Sequence, residues 1–131
     1  MSASHKAVVQ GYLEKILNNG DWSSWDRYFG ERVLFNGDEM TREDFGSVVG
    51  YFRSFLPDLH VTIEDQVAEG NKVATRVTFR GTHEGEVEGI APTGRQVEFR
   101  GFAIDHLADG RVIEMWHEMD MHGLFQQLRM E

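Results

Sequence analysis

The chain contains no cysteine, which excludes a disulfide framework and any cysteine-ligated zinc site, and removes the residue from which a redox compartment is read. Proline is scarce: Pro57 and Pro92 are the only two. No internal repeat, low-complexity tract or linker interrupts the sequence. No apolar run approaches the ~18 residues that a bilayer-spanning helix needs. The opening MSASHKAVVQGYLEK lacks the charged-then-apolar order of a secretion signal, so the default expectation is a cytoplasmic location. Positive charge is also short. Thirteen Lys and Arg face 22 Asp and Glu, for a net charge of −9 without any basic stripe. Nucleic acid and anionic membrane surfaces would be repelled, and neither is an expected partner.

What remains is an ordinary globular composition, 40% apolar and 27% charged, in 131 residues. That length suits one domain, residues 1–131, with one modest core. Val9, Tyr12, Leu13, Ile16 and Leu17 recur at helical spacing, and Asn18-Asn19-Gly20 ends the pattern. Asp21 is placed to cap a short helix carrying Trp22, Trp25, Tyr28 and Phe29. A brief strand is expected over 32–35. Thr41 and Asp44 form a variant capping box before a helix bearing Phe45, Val48, Val49, Phe52, Phe55 and Leu56, which Pro57 stops.

After Pro57 the apolar period changes from helical to alternating. Strands are expected from His60 to the Gly70-Asn71 turn, then through Phe79, then from Arg95 to Leu107 and from Arg111 to Asp120, with a helical turn over 123–128. Helices followed by an antiparallel meander define an α+β fold, a curved sheet wrapped against helices.

The stretch VIEMWHEMDMHG, 112–123, packs two histidines and three carboxylates among bulky apolar residues. Its register against the preceding strand decides which of them share a face. A two-residue loop, Asp109-Gly110, would mix apolar and charged residues on both faces. A three-residue loop, Ala108-Asp109-Gly110, places Gly101 opposite His117, Ala103 opposite Met115 and Asp105 opposite Ile113. It yields one nearly apolar face, and the cost of burying charge favours it. His117 then points inward, while Glu114, Glu118 and Asp120 point away. Strand alternation thus opposes a metal site, and His117 and His122 are five apart, not the four of HExxH; no metal is expected, a two-His-one-carboxylate set around the bend at His122 being the arrangement left open.

By the same alternation the inner wall carries four titratable groups: Asp65, His83, Asp105 and His117. These are the candidate catalytic residues. A lone histidine on an apolar face is commonly a satisfied core residue, but Gly101 and Ala103 across from His117 leave space beside its ring, which favours a cavity. In this register Asp105 is four residues from the position opposite His117, ~13 Å away, too far for direct contact. Phe52, Phe55, Phe79, Phe99, Met115 and Met119 are the apolar residues expected to line that cavity, although such stripes more often form plain core. On the opposite face Phe102, Ile104, Val112 and Trp116 are too apolar for open solvent, so a homodimer through this outer sheet face is expected.

FLPDLHVTI (55–63), AEGNKV (68–73), GTHEGE (81–86), GIAPTG (89–94), DGRVIEMW (109–116) and GLFQQL (123–128), in this order and spacing, resemble the SnoaL-like polyketide cyclases of the nuclear-transport-factor-2-like superfamily. The resemblance implies a cone: N-terminal helices packed against a curved, mostly antiparallel sheet enclosing a pocket, with dimers joined through sheet faces and no cofactor. It also implies an acid/base residue in the last strand, an aspartate in the family, that serves an intramolecular aldol closure. That position is His117 here, and the family's polar residues on the preceding strand fall at Gly101 and Ala103. These departures point to a base of another kind in a wider pocket. The expected activity is that of a cofactor-independent lyase or isomerase, abstracting a proton from a small hydrophobic carbonyl compound. The alternatives are a non-catalytic binder of a small lipophilic ligand, or an epoxide or lactone hydrolase. The last would place an Asp–Arg–Asp set in the pocket, whereas Arg76, Arg80 and Arg100 alternate outward.

Overall fold

The computed structural model describes residues 2–130. Its elements follow the expected order. Helix α1, Ser2–Tyr12, widens into a π-helical segment, Leu13–Asn18, that keeps Leu13 and Ile16 buried. Two ties hold the end of this segment: the Asn18 amide exchanges hydrogen bonds with the backbone of Val61, at 2.9 and 2.8 Å, and Arg53 donates to the Leu17 carbonyl. A 3-10 turn at Trp22–Ser24 leads into α2, Trp25–Tyr28. Asp21 precedes the turn without capping it, because its carboxylate accepts from the Ser23 hydroxyl and not from a backbone N–H.

Strand β1 spans Phe29–Phe35, longer than expected, and turns through Asn36-Gly37 into an unexpected β2, Asp38–Met40. Both turn residues have positive φ, 50° and 92°, the conformation for which Asn-Gly is suited. Helix α3, Arg42–Phe55, opens on the expected capping box: Asp44 N–H donates to the Thr41 hydroxyl at 3.1 Å, and Thr41 N–H to the Asp44 carboxylate at 3.0 Å. Then come β3, His60–Glu69, β4, Lys72–Thr82, β5, Gln96–Ala108, β6, Arg111–Met119, and α4, Met121–Leu128. Asp120 caps α4 by accepting from Gly123 N–H at 2.9 Å. None of the described helices is long and apolar enough to cross a membrane.

The six strands form one sheet in the order β2-β1-β6-β5-β4-β3, antiparallel except where β1 runs parallel to β6. The helices cover one face, and the core fills the space between. Two β-bulges decide what that face contains.

The first lies in β6. The β5–β6 turn is a two-residue loop after all, with Asp109 and Gly110 at φ 52° and 77°. It pairs Ala108 with Arg111 and Leu107 with Val112, and the register then shifts so that His106 faces Glu114. The extra residue restores the apolar face that the three-residue loop was meant to supply, but two positions away from the expected pairing. Ala103, not Gly101, lies opposite His117, and Asp105 lies opposite Met115, not Ile113. Val112, expected outside, is fully buried opposite Leu107.

The second bulge lies in β3, where Ile63 faces Val77 but Asp65 faces Arg76. Beyond it inside and outside are exchanged. Asp65 is therefore exposed on the outer face rather than on the inner wall, Val67 is 64% exposed, and Gln66 turns inward to donate to the Thr75 hydroxyl.

Candidate active site

His117 is set by the strand on one side and by a loop on the other. Its backbone N–H donates to the Asn36 side-chain oxygen at 2.8 Å, and the Asn36 amide returns a bond to the His117 carbonyl at 3.1 Å. The left-handed turn at Asn36 thus extends the sheet ladder with a side chain. The imidazole leans over Gly101: a Cβ there would stand 2.8 Å from Nε2 and 2.8 Å from the Phe79 ring. The space expected from this glycine is therefore occupied by the histidine itself and by Phe79. Phe79 lies 6.0 Å from the imidazole, centre to centre, and Phe35 meets it edge-on at 6.4 Å.

His117 Nε2 is buried and has no hydrogen-bond partner among the described residues. Burial lowers the imidazole pKa to about 4, so the ring is neutral at physiological pH. Two small cavities adjoin it. One of about 30 Å³ lies toward α1, between Tyr12, Leu13, Thr75, Val77, Ala103 and Met115. The other, of about 50 Å³, lies toward α3, between Phe35, Val49, Phe52, Leu59, Phe99 and Met119. Leu17, Phe45, Phe79 and His117 wall both. Each has the volume of only a few water molecules; a ring-sized guest enters only when lining side chains move. Leu17 and Phe35 are half-buried and Val48 is exposed, so the wall toward solvent is made of movable side chains.

Asp105 is 1% exposed. Its Oδ2 accepts from the Tyr12 hydroxyl at 2.6 Å, and its Oδ1 has no partner among the described residues. Burial raises the carboxyl to about pKa 7, with the Tyr12 hydrogen bond pulling the other way. Burial, followed by the adjoining Asp105 charge, holds the Tyr12 phenol well above its usual range. The true register puts Asp105 two residues, not four, from the partner of His117, diagonally adjacent on the same face.

Of the other candidates, Asp65 is excluded from the interior by the β3 bulge. His83 is completely buried, but elsewhere: its Nδ1 bonds to Thr93, at 3.0 Å to the hydroxyl and 3.3 Å to the N–H, and its ring meets Phe55 edge-on. It walls neither cavity beside His117, and its role there is to anchor the Thr93 loop. Phe52, Phe79, Phe99, Met115 and Met119 line one or other cavity, whereas Phe55 is buried behind them against Phe52 and His83. Arg76, Arg80 and Arg100 are exposed. Among the described residues no three His, Asp or Glu side chains converge as metal ligands.

Sequence reasoning passed over Tyr12 and Asn36. Tyr12 falls in the apolar stripe of α1, yet a buried phenol needs a polar partner and so does a carboxylate on an apolar strand face. Asn36-Gly37 carried a strong hairpin signal.

Among the described residues, four helices on an open six-stranded sheet, with one imidazole facing an apolar hollow, define a cone protein of the nuclear-transport-factor-2-like class. More narrowly, the chain belongs to the SnoaL-like polyketide cyclase family, whose sequence profile matches residues 7–128. It is similar to IdmH from Streptomyces antibioticus, a proposed polyketide cyclase, at 28% identity over 96% of this chain and 99% of that one, with a TM-score of 0.88. It is also similar to TsrD from Streptomyces laurentii (29% identity, 97% and 96% covered, TM-score 0.83). A third similar structure is AclR from Streptomyces galilaeus, a proposed hydroxylase (26%, 98% and 97%, 0.82). No curated protein matches the sequence significantly.

Proposed function

We propose that the chain is a cofactor-independent lyase or isomerase of the cyclase type, in which His117 removes a proton beside the carbonyl of a small hydrophobic compound. The enolate then attacks a second carbonyl or is reprotonated elsewhere. The observation that carries this reading is the buried, unpartnered Nε2 of a neutral imidazole facing apolar cavities. A depressed pKa keeps the ring neutral before reaction, and with its single proton on Nδ1 the Nε2 lone pair is free to act as the base. As negative charge develops on the ligand, the same low-dielectric surroundings strengthen its attraction to the new imidazolium.

Proton abstraction is tested by hydrogen–deuterium exchange at the α-carbon across a panel of hydrophobic ketones in heavy water. The wild-type chain should catalyse exchange for at least one ketone, and His117→Ala should slow it by ~10²-fold or more. Exchange within a few-fold of wild type removes His117 from the mechanism. The second reading, a non-catalytic binder, is favoured by the nearly complete apolar lining of the α3-side cavity. Ligands that bind beside His117 without any exchange would establish it.

The outer sheet face supports the expected homodimer. Phe102, Ile104, Trp116 and Val67 are about half exposed or more, at 54%, 49%, 50% and 64%, and lie together beside two shallow grooves. A second copy of this chain, offering the same patch, would cover them.

A further inference from the structure

The proposed reaction leaves one role unfilled: a donor to the oxygen on which charge collects as His117 takes the proton. Two hydroxyl-bearing residues, Tyr12 and Thr75, line the cavity of about 30 Å³ that His117 also walls. Only Tyr12 has an acid behind it. Asp105, on the strand next to His117, touches the Tyr12 oxygen at 2.6 Å and leaves its other oxygen buried without a partner among the described residues.

Building on the reading of this cavity as the site, we propose that Tyr12 donates a hydrogen bond to the ligand's carbonyl oxygen, and that Asp105 is the positioning residue that frees or withholds that donor. Only one hydrogen can lie between the two oxygens. When Asp105 is protonated, its O–H donates to the Tyr12 oxygen and the phenol hydrogen is free to turn into the cavity. When Asp105 is ionised, the carboxylate takes the phenol hydrogen and the cavity loses its donor. The raised pKa of Asp105, about 7, puts this exchange in the neutral range. The groups facing Asp105 are Tyr12 from α1, Val73 from β4, and Met115 with the diagonal His117 from β6. Among the described residues no cation adjoins the carboxylate, and burial lowers the His117 pKa to about 4, below the window.

In the reaction the ligand's C–H bond breaks and its proton bonds to His117 Nε2. The electron pair forms the new C=C bond, and the carbonyl oxygen becomes an enolate. The Tyr12 proton passes to that oxygen, and the Asp105 proton follows onto Tyr12. The cycle closes when His117 delivers its proton to carbon or to a second alkoxide, and the enol proton returns through Tyr12 to Asp105. The balance needs no co-reactant.

The test uses 1-indanone, a neutral ketone that does not itself titrate, with the full chain. Binding is followed by the NMR resonances of the His117 ring and of the bound carbonyl carbon, at pH ~5.5 and ~8.5. Wild type should bind roughly tenfold or more tightly at the lower pH. Tyr12→Phe should bind weakly at both and lose the carbonyl shift that marks a donated hydrogen bond, and Asp105→Asn should abolish the pH dependence. If indanone perturbs His117 but Tyr12→Phe leaves affinity and carbonyl shift unchanged, the proposal is overturned while the cavity reading stands. If indanone never perturbs His117, the cavity reading falls and takes the proposal with it. Should Tyr12→Phe fail to fold, a carbonyl shift that is independent of pH in wild type overturns the proposal.

Discussion

The His117 ring rests over Gly101, close enough that a single added carbon would lie 2.8 Å from its Nε2. The glycine makes room for the imidazole, and Phe79 closes the other side at the same distance. Gly101→Ala should therefore displace the ring, since neither neighbour is the free end of a flexible chain. The expected cost is ~1–3 kcal/mol of stability, read by thermal unfolding, together with a shifted His117 ring resonance. An unmoved resonance and unchanged melting would contradict the described packing.

Titration should reveal two opposed buried groups. His117 has a folded pKa lowered from 6.5 to about 4, so the unfolded chain binds the proton first. Its contribution is fully present above ~6.5 and is lost as pH falls toward ~4. Asp105 is raised from 3.8 to about 7, so the folded chain binds the proton first. Its contribution is full below ~3.8 and is lost as pH rises through ~7. Between pH ~4 and ~6.5 the two nearly cancel. Asp105→Asn should expose the His117 slope, with stability rising with pH over that range by a few kcal/mol, and His117→Gln should expose the opposite slope. Denaturant midpoints at several pH values check both signs; parallel profiles for the two variants would contradict the assignment.

Asn36→Gly should separate turn from clamp. Glycine accepts the φ of 50° at this position but cannot make the two side-chain bonds to the His117 backbone. A loss of ~1–2 kcal/mol is expected. Faster amide exchange at His117, with the Asn36-Gly37 hairpin intact, is the specific sign.

Trp116→Glu tests the outer face. Trp116 is half exposed, so the change should leave monomer stability within ~0.5 kcal/mol. Light scattering coupled to size exclusion should show a dimer for wild type and a monomer for the variant. A wild-type monomer at high concentration would remove the dimer proposal.

The amino-acid order alone determined the class of fold. Helical spacing in 9–17 and 45–56, the capping box at Thr41, the stop at Pro57 and the alternation beyond it are local signals, each written within a few residues, and the structure reproduces them except where β3 loses the expected alternation beyond Ile63. The inward direction of His117 and Asp105 was also legible, because burying the other row would cost the desolvation of several charges. The bulges were not legible. A bulge is one extra residue whose cost or benefit depends on the partner strand, and it exchanges inside and outside beyond it without changing local composition. For that reason alternation alone points Asp65 inward and Val112 outward, and only the pairing of β3 with β4 and of β5 with β6 reverses both. Tertiary structure alone also brought Tyr12 against Asp105, 93 residues away. It filled the hollow at Gly101 with the histidine ring, because how closely side chains pack is a property of the assembled interior and not of any one segment.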